Sequence, residues 1–251
     1  MISPTGMFNA INKKLPIVPI AQNASGTPLG LVVSTKFAKE HSLTPSSSAE
    51  EVAKALPGSR PGASSANTEA EAGVFLKAYG VDPSKLSWAT LPTASADQAA
   101  LKSNQIDWFD TSEPLPLQIQ ADGDGVVVGS PENVPQWSQG QSGYGSFVAA
   151  RKSWANGNGG VARKFVAAVQ QATAYMNAHP NDPASLAAAK DVLPNASGDI
   201  LKTSLQQVAW PASDKMTADG WASTTRFVDS LGTIKGGVHL TASDWTNQYL
   251  P

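Results

Sequence analysis

The sequence has no cysteine, few charged residues and no long apolar run, and each lack excludes a class of protein. Without cysteine the chain cannot hold a disulfide scaffold, a cysteine nucleophile or a zinc site built from thiolates. Charged residues make up only 15% of the chain and the net charge is −2, with no basic run that could read phosphates, so nucleic acid is not expected as a partner. Leu29 to Val33 and Val126 to Val128 are strand-sized, far short of the roughly 18 residues that span a bilayer.

Groups that would indicate catalysis or metal binding are also scarce. The three histidines, His41, His179 and His239, do not lie at the spacing of metal ligands. No Gly-x-Ser-x-Gly elbow is present, and the glycine-rich turn at residues 157–160 lacks the lysine of a phosphate loop. We therefore predict no catalytic residue, no metal and no cofactor.

What the first half does contain is an alternation of short apolar runs with helical patterns, which is typical of an α/β protein. The predicted strands cover residues 17–21, 30–34, 86–91, 106–109, 125–129 and 146–150. Capping-box spacings predict helix starts at Ser48, Thr68 and Ser95. Gly80 is predicted to end the helix that follows Thr68.

From residue 161 onward the pattern is almost entirely helical. Val161, Phe165 and Val169 begin an apolar stripe at helical spacing, so we expect them to face the core. Three further helices are predicted to begin near Asp182, Ser197 and Thr241, and another carries the apolar stripe of Trp221, Thr224, Val228 and Leu231.

A loop of small polar residues precedes the helix near Thr68. Such a loop at a helix start exposes backbone N–H groups and hydroxyls at the positive end of the helix dipole, which suits a polar or anionic ligand. From this segment alone, a loop that serves only to cap the helix is the favoured interpretation. Glu69 and Glu71 occupy the start of that helix, and together with Glu113 they favour a neutral, zwitterionic or cationic ligand over a compact dianion.

Several segments in order resemble the bacterial ABC-transporter solute-binding proteins of the nitrate, sulfonate and taurine group. The segments that carry this resemblance are Pro57 to Gly62, Ser64 to Thr68, Phe75 to Asp82, Ala100 to Asp107, Glu113-Pro114, Ala149 to Ser153, Phe165 to Val169, Ala174 to Met176, Leu231 to Lys235 and Asn247 to Leu250. Asn104 stands where the family has a turn glycine, and asparagine also accepts a left-handed backbone.

The resemblance implies an α/β periplasmic-binding-protein type II fold with two lobes hinged about a ligand cleft. Lobe two would be residues 38–145, and lobe one would be residues 1–37 with 146–251, incomplete and helix-rich in its C-terminal part. It implies ligand contacts from two groups of residues. Those of lobe two are Ser64, Ser65, Asn67, Thr68, Asp110 and Glu113, and those of lobe one are Asn23 and Ser25. Tyr144 and Trp108 could stack on a planar ligand, although a tryptophan is more often part of the core.

The resemblance also implies a monomer that delivers a small solute to an ABC permease. The protein would be periplasmic, or a membrane-anchored extracellular lipoprotein, and would touch the membrane only through the permease or a lost lipid anchor. Residues 1–14 do not have the pattern of a signal peptide, and family members carry a further strand-helix stretch ahead of Phe8. We therefore expect an N-terminally shortened chain.

Two alternatives share this topology. One is an enzyme, such as a desulfinase or a thiamine-precursor synthase, but these depend on cysteine or a dedicated histidine site, so we expect no enzyme activity. The other is the effector-binding domain of a transcription regulator, which would need a helix-turn-helix segment ahead of Met1.

Overall fold

The computed structural model describes residues 1–251, which form two compact units. Unit 1 comprises residues 1–27, 139–192 and 208–251, and unit 2 comprises residues 28–138 and 193–207. The first boundary lies at 27/28 and not at the predicted 37/38, because residues 29–34 form an inner strand of the unit 2 sheet. The second lies at 138/139 and not at the predicted 145/146. Residues 193–207 also belong to unit 2, a crossing that the sequence pattern did not indicate.

Unit 1 is built on a two-stranded antiparallel sheet flanked by helices. Its strands are β1 (Ile17–Ser25) and β7 (Tyr144–Arg151), paired from Ile17 opposite Arg151 to Ser25 opposite Tyr144. Its helices are α1 (Pro4–Asn12), α7 (Gln139–Ser142), α8 (Lys152–Gly157), α9 (Gly159–Ala178), α10 (Pro183–Val192) and α12 (Ala218–Leu231). Part of its core is a cluster in which the rings of Phe147 and Trp221 stack at 4.6 Å.

Unit 2 contains a mixed five-stranded sheet in the order β4-β3-β5-β2-β6. The strands are β2 (Leu29–Ser34), β3 (Pro61–Ala63), β4 (Ala89–Thr90), β5 (Trp108–Ser112) and β6 (Gly125–Gly129). The helices are α2 (Thr35–Glu40), α3 (Ala49–Ala55), α4 (Ala66–Ala78), α5 (Ala94–Lys102), α6 (Leu115–Ala121) and α11 (Gly198–Gln207). β3 runs parallel to β4 and β5, whereas β2 runs antiparallel to β5 and β6.

The two faces of this sheet cover different apolar clusters. Trp108 packs into the cluster that includes Phe75 and Trp137, and Phe109 packs into the other cluster with Leu101 and Ile106. Because side chains alternate along a strand, Asp110 lies on the same face as Trp108.

Most predicted elements are present, with shifted ends. The capping box of Ser48 with Glu51 is confirmed. At the start of α4 the capping box joins Ser65 to Thr68, not Thr68 to Glu71, because Glu71 is turned into the protein and buried. Helix α5 is capped by Thr93 in place of Ser95.

Helix α9 buries a different face from the predicted one. Val161 is 56% exposed and Phe165 is 54% exposed, so the expectation that they face the core is wrong. The buried residues are Ala162, Val166 and Thr173, one position further along, where small and β-branched side chains let the helix approach β1. None of the helices combines the length and apolarity that crossing a membrane requires.

Candidate functional site

In unit 2 the candidate loop lies where β3 ends and α4 begins. Ser65 is exposed and serves the helix cap, since its Oγ accepts a hydrogen bond from the Thr68 backbone N–H at 3.2 Å. The Thr68 Oγ1 in turn accepts one from the Ser65 backbone N–H at 3.1 Å. Ser64 and Asn67 are only partly exposed and interact with carboxyl groups behind the loop.

Three buried carboxyl groups come from the elements next to this loop, one from each. Glu71 comes from α4, Asp97 from α5 and Asp110 from β5, and they are 8%, 0% and 0% exposed. Neither oxygen of the Asp110 carboxyl has a hydrogen-bond partner. This is unusual, because buried polar groups in folded proteins are nearly always hydrogen-bonded.

Burial disfavours the charged form of all three groups. Burial raises the pKa of Glu71 to about 7, and a hydrogen bond from Asn67 offsets part of the rise. Burial likewise raises the pKa of Asp97 to about 7, with a smaller opposing effect from Ser64. The pKa of Asp110 is raised well above its ordinary value, first by burial and then by the like charges of Glu71 and Asp97.

Glu113 follows β5 and is tied to the start of α6. Its Oε2 accepts a hydrogen bond from the Leu117 backbone N–H at 3.3 Å, while its Oε1 is buried without a partner. Burial raises the pKa of Glu113 to about 7, and the Leu117 amide offsets part of that rise. A Cβ placed on Gly30 would come within 2.9 Å of this Oε1, so the absence of a side chain there makes room for the carboxyl.

Trp108 belongs to the core. It is fully buried, its Nε1 donates a hydrogen bond to the Ser59 Oγ at 2.8 Å, and its ring meets that of Trp88 edge-on at a centroid distance of 5.3 Å. No face of the indole is open to a ligand. We therefore correct the prediction that Trp108 stacks on the solute.

In unit 1 the structure brings two of the three remaining candidates together. Ser25 and Tyr144 line a pocket of about 500 Å³ at the N-terminus of α12. The Tyr144 hydroxyl accepts a hydrogen bond from the Thr217 backbone N–H at 2.7 Å. Asn23 does not line this pocket, and its side-chain amide donates to the Met1 Sδ at 2.8 Å.

The sequence analysis did not single out Asp97, which is a buried acid that interacts with Ser64 of the loop. It used Glu71 only as a group that would repel an anion. A signal for Asp97 is present in the sequence. It lies three residues before Ala100 and four before Leu101, on the buried face of α5, where a carboxylate is out of place unless it has a partner.

Comparisons with known proteins agree with the fold. No curated protein matches the chain. Among solved structures, the chain is similar to the alkanesulfonate-binding protein SsuA from Xanthomonas axonopodis pv. citri bound to MOPS, with a TM-score of 0.72 and 13% identity over 97% of this chain and 78% of that one. It is also similar to the ligand-binding component of an ABC-type import system from Staphylococcus aureus with zinc bound, with a TM-score of 0.70 and 14% identity over 97% and 76% of the two chains.

An enzyme shares the same fold. The desulfurization enzyme DSZB aligns with a TM-score of 0.64 and 14% identity, over 93% of this chain and 79% of that one. The likenesses together confirm the α/β fold of the periplasmic binding proteins. A model of the NMT1-like family matches residues 3–190, about three quarters of the sequence. The chain therefore belongs to the NMT1-like family.

Proposed function

We propose that this protein binds a small solute and delivers it to an ABC importer. The observation that carries the proposal is the buried Asp110 carboxyl without hydrogen-bond partners, on β5 beside the strand β3 that leads into the Ser64–Asn67 loop. Open α/β sheets bind their ligands outside the carboxyl ends of parallel strands, and this loop follows the carboxyl end of β3. A polar group left unpaired in the free protein is the kind of group that a bound ligand satisfies.

The solute contacts that we propose in unit 2 come from Ser64, Asn67 and Asp110, together with Glu71 and Asp97. Ser65 and Thr68 hold the loop by capping α4, and Glu113 supports the start of α6. In unit 1 we propose contacts from Ser25 and Tyr144, which share a pocket. The interlobe cleft stays a prediction from the family resemblance.

The similar ligand-binding component of an ABC-type import system supports delivery to a permease as the outcome of binding. We accordingly propose that the protein acts outside the cytoplasm as a monomer. An enzyme on this fold is the second candidate, because a desulfurization enzyme shares it. The chain has no cysteine to act as a nucleophile, which favours the binding role.

The binding role can be tested by thermal unfolding of the full chain with millimolar solutes. The set comprises ethanesulfonate, nitrate, taurine, 4-aminopyrimidine and agmatine. A ligand at 100 times its Kd stabilises the folded state by about 2.7 kcal/mol, so binding should raise Tm by several degrees. A flat response to all five solutes would contradict the proposal. Unchanged uptake of the bound solute in cells that lack the protein would contradict delivery.

A further inference from the structure

Helix α9 turns an unbroken apolar stripe toward the solvent. This α9 stripe consists of Val161, Phe165, Ala168, Ala172 and Tyr175, and all five side chains are exposed. The three large ones, Val161, Phe165 and Tyr175, are 56%, 54% and 42% exposed. Single apolar residues are normal on a protein surface, whereas a continuous apolar face marks an interaction surface.

The spacing of the α9 stripe is that of a seam between paired helices. Its successive residues are four, three, four and three positions apart, which is the a/d pattern of a heptad repeat. Residues with this spacing form one line along an α-helix and fit between the side chains of a second helix that lies alongside. The line from residue 161 to residue 175 is about 21 Å long at 1.5 Å per residue, so two heptads can pair.

Within unit 1, α9 uses its other side for packing. Ala162 and Val166 lie in an apolar cluster with residues of β1 and β7. The Thr173 hydroxyl donates a hydrogen bond to the Asp214 carboxylate at 2.6 Å. Because the α9 stripe stays exposed while this side is buried, a helix that covers the stripe has to come from a second molecule.

The α9 stripe is complementary to a second copy of itself. Ala168 and Ala172 lie two positions on either side of Gln170, and Phe165 and Tyr175 lie five positions on either side. In an antiparallel pair of α9 helices about a twofold axis at Gln170, Ala168 of each copy meets Ala172 of the other, and Phe165 meets Tyr175. The small central residues allow the helices to approach closely, and an aromatic pair closes each end of the contact. Such a contact uses the same surface on both copies, as a twofold dimer requires.

Charge favours the antiparallel order over the parallel one. Lys164 is exposed beside Phe165 and takes part in none of the salt bridges of the chain. At the other end of the stripe, the Asp182 carboxylate accepts a hydrogen bond from the Tyr175 hydroxyl. The antiparallel order brings Lys164 of each copy toward Asp182 of the other, whereas a parallel order would place the two Lys164 side chains together. The helix dipoles also oppose each other in the antiparallel order.

We propose that two copies of this chain associate through the α9 stripe as an antiparallel dimer with twofold symmetry. One helix face on each side is smaller than the roughly 800 Å² per partner that a stable interface buries, so the dimer exchanges with the monomer. The inference goes beyond the proposed function. Each copy keeps its own candidate solute residues, and the monomer remains the form that serves the importer.

Sedimentation of the full chain from micromolar to submillimolar concentration tests the association. We expect the average mass to rise from one chain toward two chains as the concentration increases. A mass of one chain throughout would overturn the inference. Growth beyond two chains would overturn it as well, because a contact between identical surfaces closes at two copies.

Variants tie the association to the α9 stripe. Ala172→Glu places a charge in the centre of the contact, and we expect it to weaken self-association at least tenfold. Ala99→Glu makes the same change at an exposed position of α5 and should leave self-association unchanged. Phe165→Glu is a second variant should Ala172→Glu fail to fold, which circular dichroism would show. Wild-type self-association in a folded variant of the stripe would overturn the inference.

Disulfide trapping tests the orientation, because the chain has no cysteine of its own. Ala168→Cys and Ala172→Cys are prepared as separate single variants and are oxidised alone and mixed. Antiparallel pairing brings residue 168 of one copy to residue 172 of the other, so the mixture should form cross-linked dimers several-fold faster than either variant alone. Faster cross-linking of each variant with itself would indicate parallel helices and overturn the proposed arrangement.

Discussion

The Asp97 carboxylate lies directly against Gly62, so that a Cβ on residue 62 would come within 2.8 Å of the Asp97 Oδ1. The same Cβ would lie 2.6 Å from the Ile106 Cδ1. Strand β3 therefore needs glycine at this position because a carboxyl group and an isoleucine from neighbouring elements occupy the space of its side chain. The absence of a side chain at Gly62 thus leaves room for the buried Asp97 carboxyl.

Gly62→Ala should lower the free energy of unfolding by about 1–3 kcal/mol, the usual effect of overpacking a filled core. It should also weaken binding of a solute at the Ser64–Asn67 loop, because Asp97, which interacts with Ser64, must move. Gly73→Ala in α4 is the matched control, since its Cβ would make an ordinary contact of 3.5 Å with Pro83. That variant should gain up to about 1 kcal/mol from helix propensity. Urea denaturation measures both, and equal stability of the two variants would contradict the packing argument.

The free energy of unfolding should fall as the pH rises from about 4 to about 7. Glu71, Asp97 and Glu113 each have a pKa of about 7 in the folded protein, above the value of an unfolded carboxyl. The folded state therefore holds more protons than the unfolded state across this range, and stability that is full below pH 4 is lost as the pH rises through 7. For Glu71 alone the loss is about 3 kcal/mol at roughly 1.4 kcal/mol per pKa unit.

Denaturation of wild type and Glu71→Gln at pH 5 and pH 8 tests this dependence. The variant should lose less stability between the two pH values, because it lacks one of the titrating groups. Glu69→Gln, which changes a less buried acid of the same helix, is the matched control. Wild-type stability that rises from pH 5 to pH 8 would show that these carboxyls are not desolvated in the folded protein.

Two neighbouring residues of α9 should respond very differently to truncation. Val166 is fully buried against β1 and β7, whereas Phe165 is 54% exposed. Val166→Ala should destabilise the protein by about 2 kcal/mol, since it deletes buried methyl groups and leaves a cavity. Phe165→Ala should change stability by no more than about 0.5 kcal/mol, as is usual at the surface. The opposite order in thermal unfolding would mean that the helix is rotated relative to the described structure.

Thr173 stabilises a buried acid in unit 1. Its Oγ1 donates a hydrogen bond to the Asp214 Oδ1 at 2.6 Å, and burial raises the pKa of Asp214 despite this bond. Thr173→Val keeps the shape but removes the donor, so it should lower the free energy of unfolding by about 1–3 kcal/mol. Thr203→Val, on the exposed side of α11, is the control and should stay near wild type. If both variants unfold at the same urea concentration, the hydrogen bond contributes nothing.

The sequence predicts the strands and helices better than it predicts which face of each one is buried. Strands with strong apolar runs, such as β2 and β6, could be placed closely because burial on both faces leaves a continuous pattern. Asn104 was expected in a left-handed turn, and its φ of 56° confirms this. The prediction for α9 is wrong because it places the large apolar residues inward, whereas close approach to β1 selects the smaller Ala162 and Thr173.

Part of the candidate site could be anticipated and part could not. The loop at Ser64 and the strand end at Asp110 follow from the family resemblance, since motif order places them. Asp97 could not be linked to them, because it is over 30 residues from Ser64 along the chain and only the parallel pairing of β3 with β4 and β5 brings it to Gly62. The burial of Trp108 likewise depends on packing against Trp88, which no local pattern reveals.

The polypeptide passes between the two units four times, near residues 27, 138, 192 and 207. Neither unit is therefore a single stretch of chain, and a terminal deletion cannot yield one of them intact. Unit 2 depends on a 15-residue piece that arrives after more than 50 residues of unit 1. To produce unit 2 alone, residues 28–138 would have to be joined to 193–207 by a designed connection. A protease cut at any one of the four crossings would leave two fragments that both contribute residues to unit 1.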